Sequence, residues 1–519
     1  MQKAISLKLQ PEEAATDNII KAYIAGSMGK KPEDISGYII TKKSIDARGK
    51  QVWVNLTLTA YINEPVQLRE KIAFQFQEIH KAKKSVIIIG AGPAGLFAAL
   101  KLIELGIKPI LLERGKDVRA RRRDLAMLNK EGEINTESNY CFGEGGAGTY
   151  SDGKLYTRSS KRGSIERILN LFVHFGAEEK ILYEAHPHIG TNKLPHIITA
   201  MRMKILECGG EIHFEKKVTD FIISNNAIAS VHTQNGDSFS ADAIILATGH
   251  SARDIFELLQ HKNILIEAKP FALGVRVEHP QSLIDSSQYH CTIRSTHLPP
   301  ASYNWVQQVN GKGVFSFCMC PGGIIATAST TPGELVVNGW SPSKRNNPFA
   351  NSGIVVSIEE KDWHSYKKAG ALAAMKYQQE VETKAFAYGG GKFVAPAQRM
   401  VDFFENKVSN SLPACSYLPG LHSVALKEVL PAFVFQNLRT AFKEYGKKMK
   451  DYFTNEAVVV ATESRTSSPV RIPRDKLTLQ HPQINNLYPC GEGAGYAGGI
   501  VSAAMDGENV ATQISMIFS

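Results

Sequence analysis

From Lys84 onward the chain reads KSVIIIGAGPAGLFAALKLIELGIKPILLERG, and no other stretch restricts the fold as strongly. Ser85–Ile89 is apolar and β-branched without alternation, the pattern of a strand covered on both faces. It turns through Gly90-Ala91-Gly92-Pro93-Ala94-Gly95 into a helix from Leu96 to Leu105. Gly106 ends that helix, and Pro109–Leu112 forms a second strand that closes on Glu113. Such a strand-turn-helix-strand unit binds a dinucleotide by a division of labour. Gly90 permits the tight turn, Gly92 lets a pyrophosphate approach the backbone, and Gly95 lets helix and strand meet. The helix N-terminus offers free amides and the positive end of its dipole to the phosphates. Glu113 is expected to accept hydrogen bonds from ribose hydroxyls, and an acid there fits FAD or NAD and disfavours a 2′-phosphate.

Three further segments choose between those nucleotides. Residues 143–153, GEGGAGTYSDG, make a second small-residue loop suited to close backbone approach to a phosphate or ribityl chain. Residues 241–249, ADAIILATG, read as a buried strand ending in a small turn. Residues 488–500, YPCGEGAGYAGGI, lead into a helix carrying Ala503, Ala504 and Gly507. Its N-terminus is expected to face the N1/C2=O edge of a flavin and to stabilise the reduced anionic ring.

Together these segments resemble the glutathione-reductase-type FAD fold. More closely, the chain resembles a bacterial family of uncharacterised FAD-dependent dehydrogenases with a small extra N-terminal domain. The stretches that carry the resemblance are SIDARGK (44–50), CFGEGGAGTYSDGKL (141–155), ATGHSARD (247–254), FSFCMCPGG (315–323), VAPAQR (394–399), ESRTSSPVRI (463–472) and CGEGAGYAGGIVSAAMDG (490–507). The resemblance implies bound FAD. It assigns cofactor contacts to Gly90, Gly92, Ala94, Gly95, Glu113, Arg114, Gly146, Ala147, Gly148 and Ser151, and to Thr248, Gly249, Gly491, Glu492, Gly499 and Ile500. Val218, in EKKVTDF, stands where such folds place a backbone contact to adenine. Neither a second strand-GxGxxG-helix-strand unit nor a CxxxxC redox pair is found, unlike the pyridine-nucleotide disulfide reductases. A nicotinamide nucleotide, if it is the electron donor, is therefore expected to pass over the flavin as a substrate.

With 519 residues, two or three domains are expected. The expected fold is α/β: a discontinuous Rossmann-like FAD-binding domain over 84–265 and 481–519, an inserted α+β substrate domain over 266–480, and a small α+β domain over 1–83. That first unit reads β-α-β-β, with a helix over Thr16–Gly26. Lys plus Arg outnumber Asp plus Glu by 60 to 50, but no long basic tract accompanies the surplus, so nucleic acid is not expected as a partner. The densest basic patch, Arg119–Arg123, follows the nucleotide motif and is assigned to it. Seven scattered cysteines without a CxxC pair argue against a disulfide framework or a zinc site, and no metal is expected. No apolar leader or membrane-length run occurs, and the expected setting is cytoplasmic, with a homo-oligomer compatible.

Candidate catalytic groups are fewer. His250, directly after the Ala247-Thr248-Gly249 turn, is the catalytic candidate, as a proton donor at the flavin; a structural histidine bonding backbone is the alternative. Cys318-Met319-Cys320 is read as packing rather than a redox pair, with the thiols expected on opposite faces of a strand. Arg399 and Arg465 suit either a substrate carboxylate or phosphate, or internal salt bridges. The reading is an FAD-dependent oxidoreductase acting on a small organic molecule. An FAD-dependent enzyme modifying a macromolecule such as RNA, or a flavoprotein with structural or sensory FAD, are the alternatives.

Overall fold

Apolar residues at every second position make Trp53–Ile62 a half-buried strand, and a small sheet forms around it. In the computed structural model, which describes residues 1–157 and 163–519, β1 (Gln2–Leu9) pairs antiparallel with β3 (Trp53–Ile62). On the other side β3 pairs with β2 (Ile35–Asp46). The helix α1 (Asp17–Met28) ends on Gly29 in the left-handed region and buries Ile20 and Ile24 under the sheet. Leu9, Ile24, Leu56 and Leu58 form a core of their own, separate from the rest of the chain.

The boundary expected at residue 83 falls too late. Beyond Ile62 the chain has no helix or strand until Ser85. Phe74, Phe76 and Ile79 lie on the core of the nucleotide domain, and the Ile79 N–H donates to the Cys208 carbonyl. These aromatic anchors make the segment a strap on the second domain. A period too irregular for helix or strand concealed it in the sequence.

The nucleotide domain is built on a five-stranded parallel sheet. Its order is Leu487–Pro489, Ala243–Leu246, β4 (Ser85–Ile89), β5 (Lys108–Leu112) and Glu211–His213. The helix α2 (Pro93–Glu104) joins β4 to β5 and packs beside the C-terminal helix Ile500–Phe518 on one face. The opposite face is covered by Phe221 and Val231 of a three-stranded antiparallel sheet and by Phe256 and Leu259 of the helix Arg253–His261. Burial on both faces is why β4 carries four consecutive apolar residues, Val86 to Ile89.

The chain leaves this domain and re-enters it through a two-stranded ribbon, Glu267–Ala268 against Val470–Arg471. Between them lies a seven-stranded, mostly antiparallel sheet. The helix Ala432–Lys448 packs on it with Leu438 and Phe442, and the helix Ala373–Gly389 with Val381 and Ala385. At its centre Phe271–Pro280 lies between Phe349–Ile358 and Val458–Glu463. Among the described residues no helix is long and apolar enough to cross a membrane.

Because the N-terminal core is its own cluster, Leu56→Ala should cost about 2–5 kcal/mol locally. Hydrogen exchange should show protection falling within residues 1–62 while the nucleotide domain keeps its own. Equal loss in both domains would contradict independent cores.

Candidate active site

The turn between β4 and α2 is held from several directions at once. Gly90 adopts φ +104°, and a Cβ there would stand 2.6 Å from the Ala247 carbonyl oxygen. At Gly95 a Cβ would come within 2.0 Å of the Gly90 carbonyl oxygen, so this glycine sets the closeness of α2 to β4. It supports the cleft from behind and does not line it.

Glu113, buried at the end of β5, accepts from the Ala91 N–H at Oε2 and from the Gly115 and Gly143 N–H groups at Oε1, each at 2.9 Å. The expected ribose contact thus falls on a carboxylate that already ties three loops together. A carboxylate has about four acceptor positions, which leaves one for a further donor. Arg121, buried within the basic patch, donates to the carbonyls of Asn139, Tyr140 and Glu144 at 2.8, 3.0 and 2.8 Å and so fixes the second glycine loop. Arg122 and Arg123 are exposed.

A cleft enclosing about 1340 Å³ of empty space, mouth included, runs through these elements. Gly90, Gly92, Ala94, Glu113, Arg114, Gly146, Ala147, Gly148 and Ser151 line it, as do Val218, Thr248, Gly249, His250, Glu492, Gly499 and Ile500. Of the expected contacts only Gly95 and Gly491 stand outside its wall. The Gly491 N–H donates to Asp506 at 2.8 Å, and Asp506 is clamped by Arg474 through contacts of 2.6 and 3.0 Å, so Gly491 is anchored from behind. Arg114 pairs with Glu137 and Asp254 and lies 4.1 Å from the centroid of the Phe142 ring.

The donor set suits FAD. Two helices begin in this cleft with glycine N-caps, Gly92 and Gly499, and neither receives a side-chain cap. Their first-turn amides are left for a ligand, with the positive ends of both dipoles. Gly92 and Gly146 face each other with no side chain between, and a Cβ on Gly146 would stand 3.1 Å from the Gly92 Cα. Apolar walls from Ile89, Phe142, Ile255 and Ile500 suit aromatic rings.

Beyond the Gly499 helix end, the cleft is walled by groups from both large domains. Burial pushes the His250 imidazole down to about 4, and the nearby cations Arg465, Arg253 and Lys269 add to this, so it is neutral near pH 7. Its Nδ1 makes no hydrogen bond among the described residues, and its Nε2 lies 3.7 Å from Glu492. A protonated His250 donor is therefore replaced by a neutral imidazole. Behind it, Arg465 pairs with Glu382 at 2.8 Å and Glu334 at 3.1 Å, which makes Arg465 an internal salt bridge. Burial works against the charge on Glu382, but Arg253 and Arg465 hold its carboxyl down at about 2. Arg399 likewise pairs internally, with Asp402 at 2.7 Å.

Lys154, Asp152 and Cys318 also line the cleft and were not singled out as site residues from the sequence. Lys154 lies 3.8 Å from Asp152 and 4.0 Å from the Cys318 sulfur, and it donates to the Met319 carbonyl. Asp152 also receives Arg345 at 2.8 Å. The polar SDGK sequence closing the second glycine loop was the available signal. The expectation of opposite-facing thiols fails, because residues two apart on a strand share a face. Here the Cys320 thiol donates to the Cys318 carbonyl oxygen at 3.2 Å.

With the geometry in place, comparison with known proteins decides the family. Residues 83–126 match the FAD binding domain family, and residues 270–466 match a family described as FAD-dependent protein, C-terminal domain-like. Residues 1–61 match a domain of unknown function. An uncharacterised protein of Clostridium beijerinckii is 38% identical over 515 residues, covering 96% of each chain. The chain belongs to a family of bacterial FAD-dependent proteins. This family member binds FAD and is an FAD-dependent oxidoreductase. A thiamine thiazole synthase of Aeropyrum pernix is 27% identical over 150 residues, 29% of this chain and 43% of that one. Among solved structures, 2,6-dihydroxypyridine-3-hydroxylase from Arthrobacter nicotinovorans aligns at 10% identity and TM-score 0.38, covering 84% of both chains. Glycine oxidase from Bacillus cereus aligns at 14% identity and TM-score 0.35, over 84% of this chain and 96% of that one.

Two outcomes test this site. Glu113→Ala strands three buried N–H donors at about 1–3 kcal/mol each, so denaturant unfolding should show a loss of several kcal/mol and FAD titration a weaker affinity. An affinity loss without a stability loss would give Glu113 back to ribose alone. The second concerns pH. A folded value of about 4 for His250 lies below the unfolded value, so its stabilising contribution is complete above about pH 6.5 and is lost as pH falls through about 4. His250→Gln should flatten part of that acid decline in FAD-free protein, and an unchanged slope would refute the buried neutral imidazole.

Proposed function

We propose that this FAD-dependent oxidoreductase is a dehydrogenase or reductase that moves a hydride between the flavin and a small organic substrate, with a nicotinamide nucleotide as electron donor. One observation carries the reading. The cleft continues past the Gly499 helix end to a wall that combines a charged lysine, a neutral histidine and a sulfur from two domains. When bound, FAD supplies the ring that accepts and returns the electron pair.

The chain's own groups divide the remaining work. Burial disfavours the charge on Lys154, but the neighbouring Cys318, Cys320 and Asp152 outweigh it and keep a proton on Nζ. The ammonium can therefore hold an anionic or carbonyl oxygen of a substrate in the cleft. The neutral His250 can accept a proton at an unprotonated ring nitrogen or donate a hydrogen bond from the other. Ile255, Ile500 and Ala503 exclude water from the ring end. The Gly499 N–H is taken by the Glu492 carboxylate, and the first-turn amides from Ile500 onward offer positive potential where a reduced flavin would carry negative charge. Among the described residues there is one five-stranded parallel sheet, which supports a nicotinamide that enters this same cleft and leaves again.

Anaerobic titration of the purified holoprotein with NADH and then NADPH tests this. The expected result is bleaching of the oxidised flavin band by at least one of them. Flavin that stays oxidised with both, yet bleaches with a chemical reductant, would overturn the nicotinamide-dependent reading.

A further inference from the structure

The strand Lys312–Cys320 departs from regular pairing where it reaches the cleft. Against Phe349–Ile358 its register runs from Phe317 opposite Gly353 to Cys320 opposite Asn351. Three steps on one strand thus match two on the other, which is a β-bulge. Cys318 occupies the bulge with φ +46°, a left-handed conformation that non-glycine residues seldom adopt. Bulges beside active sites commonly re-aim a side chain, and this one brings Cys318 to the cleft that also contains His250, Glu492 and Gly499.

Cys320 lies behind it, fully buried, and its thiol donates to the Cys318 carbonyl oxygen at 3.2 Å. Two cations flank the pair. Lys154 Nζ is 4.0 Å from the Cys318 sulfur, and the Arg276 guanidinium is 3.6 Å from the Cys320 sulfur and 2.6 Å from the Cys318 carbonyl oxygen. Arg276 is held by Glu463 at 2.7 Å, with both side chains almost completely buried. Burial pushes the Glu463 carboxyl up to about 7 against the pull of Arg276. Thiols that served only as small apolar filling would not require two cations beside them. A positive environment with one half-buried sulfur at the cleft and one buried sulfur behind it is the arrangement that makes a thiolate nucleophilic. In agreement, the neighbouring Cys320 lowers the Cys318 thiol well below its ordinary range against the cost of burial, and Lys154 and Arg276 contribute.

We propose that Cys318 and Cys320 form a redox-active dithiol that exchanges an electron pair with the flavin and closes to a Cys318–Cys320 disulfide when the flavin takes that pair. The step balances within the holoprotein. The Cys318 thiolate and the Cys320 thiol join through a new S–S bond, and the Cys320 S–H bond breaks. Two electrons and that proton pass to the oxidised isoalloxazine, and the single negative charge moves from sulfur to the reduced ring beside Lys154. The reverse step opens the disulfide with electrons from the reduced ring. A catalytic disulfide of this kind is compatible with a reducing cytoplasm. The proposal rests on bound FAD alone and not on the nicotinamide donor or the organic substrate.

The holoprotein, its flavin oxidised in air, is reduced anaerobically by light with a deazaflavin and EDTA, and samples are trapped with N-ethylmaleimide before and after bleaching. Mass spectrometry then reads the peptide carrying both cysteines. With the flavin oxidised, the peptide should carry no label and be two hydrogens lighter than the dithiol. With the flavin reduced, it should carry two labels, while the other five cysteines keep the same labelling in both states. In a companion titration with standardised dithionite, full reduction of the wild type should take twice the electrons that the Cys318→Ser or Cys320→Ser holoprotein takes. Full labelling of Cys318 and Cys320 with the flavin oxidised, or equal electron counts in wild type and variants, would overturn the proposal. Because the flavin is reduced without NADH or NADPH, a failure of the nicotinamide reading leaves this result intact.

Discussion

Three backbone N–H groups from three loops converge on the Glu113 carboxylate, and the cofactor cleft takes its shape from that convergence. Ala91 belongs to the first glycine turn, Gly115 to the segment after β5, and Gly143 to the second glycine loop. Where these loops must approach a nucleotide they are glycine and alanine, which leaves few side chains to pack them in place. A buried anion supplies what packing cannot. Hydrogen bonds to an ionised acceptor are roughly twice as strong as neutral ones, and in a low-dielectric setting the loss of any one would be costly. Arg121 does the reciprocal work as a buried cation, since its guanidinium gathers the Asn139 and Tyr140 carbonyls just before the second loop and the Glu144 carbonyl within it.

The same logic recurs at the far end of the cleft. Asp506 receives the Gly491 N–H and the Arg474 guanidinium, so the glycine turn that starts the C-terminal helix is again fixed by a buried ion pair rather than by apolar contact. In the inserted domain, Arg276 and Glu463 anchor the bulge that presents Cys318. Each buried pair is a poor source of net stability. Each is placed where a loop of small residues or a distorted strand needs a defined geometry, and the apolar cores on either side of the parallel sheet provide the stability itself. The site is thus a set of polar clamps set into an apolar frame, which keeps the ring end dry while leaving charged groups at its wall.

Local patterns in the chain determined the β4-α2-β5 unit, the glycine turns, the buried parallel strands and the FAD itself. Each of these depends on residues close in sequence: a β-branched run, a helix-length apolar stretch, glycines where a backbone must approach a phosphate. Most residues assigned to the cofactor line one cleft for this reason, and Gly95 and Gly491 stand behind its wall because their tasks are helix packing and anchoring. The strap over residues 63–83 had no such period to read. What only the tertiary structure decided is the chemistry at the ring end. Lys154, Cys318 and Arg276 lie far apart in the chain; Arg276 and Cys318 share one sheet, and the Lys154 side chain reaches Cys318 from the nucleotide domain. The neutral state of His250 arises from burial and from Arg465, which the sequence places more than two hundred residues away. Charge, burial and distance between remote side chains are properties of the folded assembly, and no one-dimensional pattern encodes them.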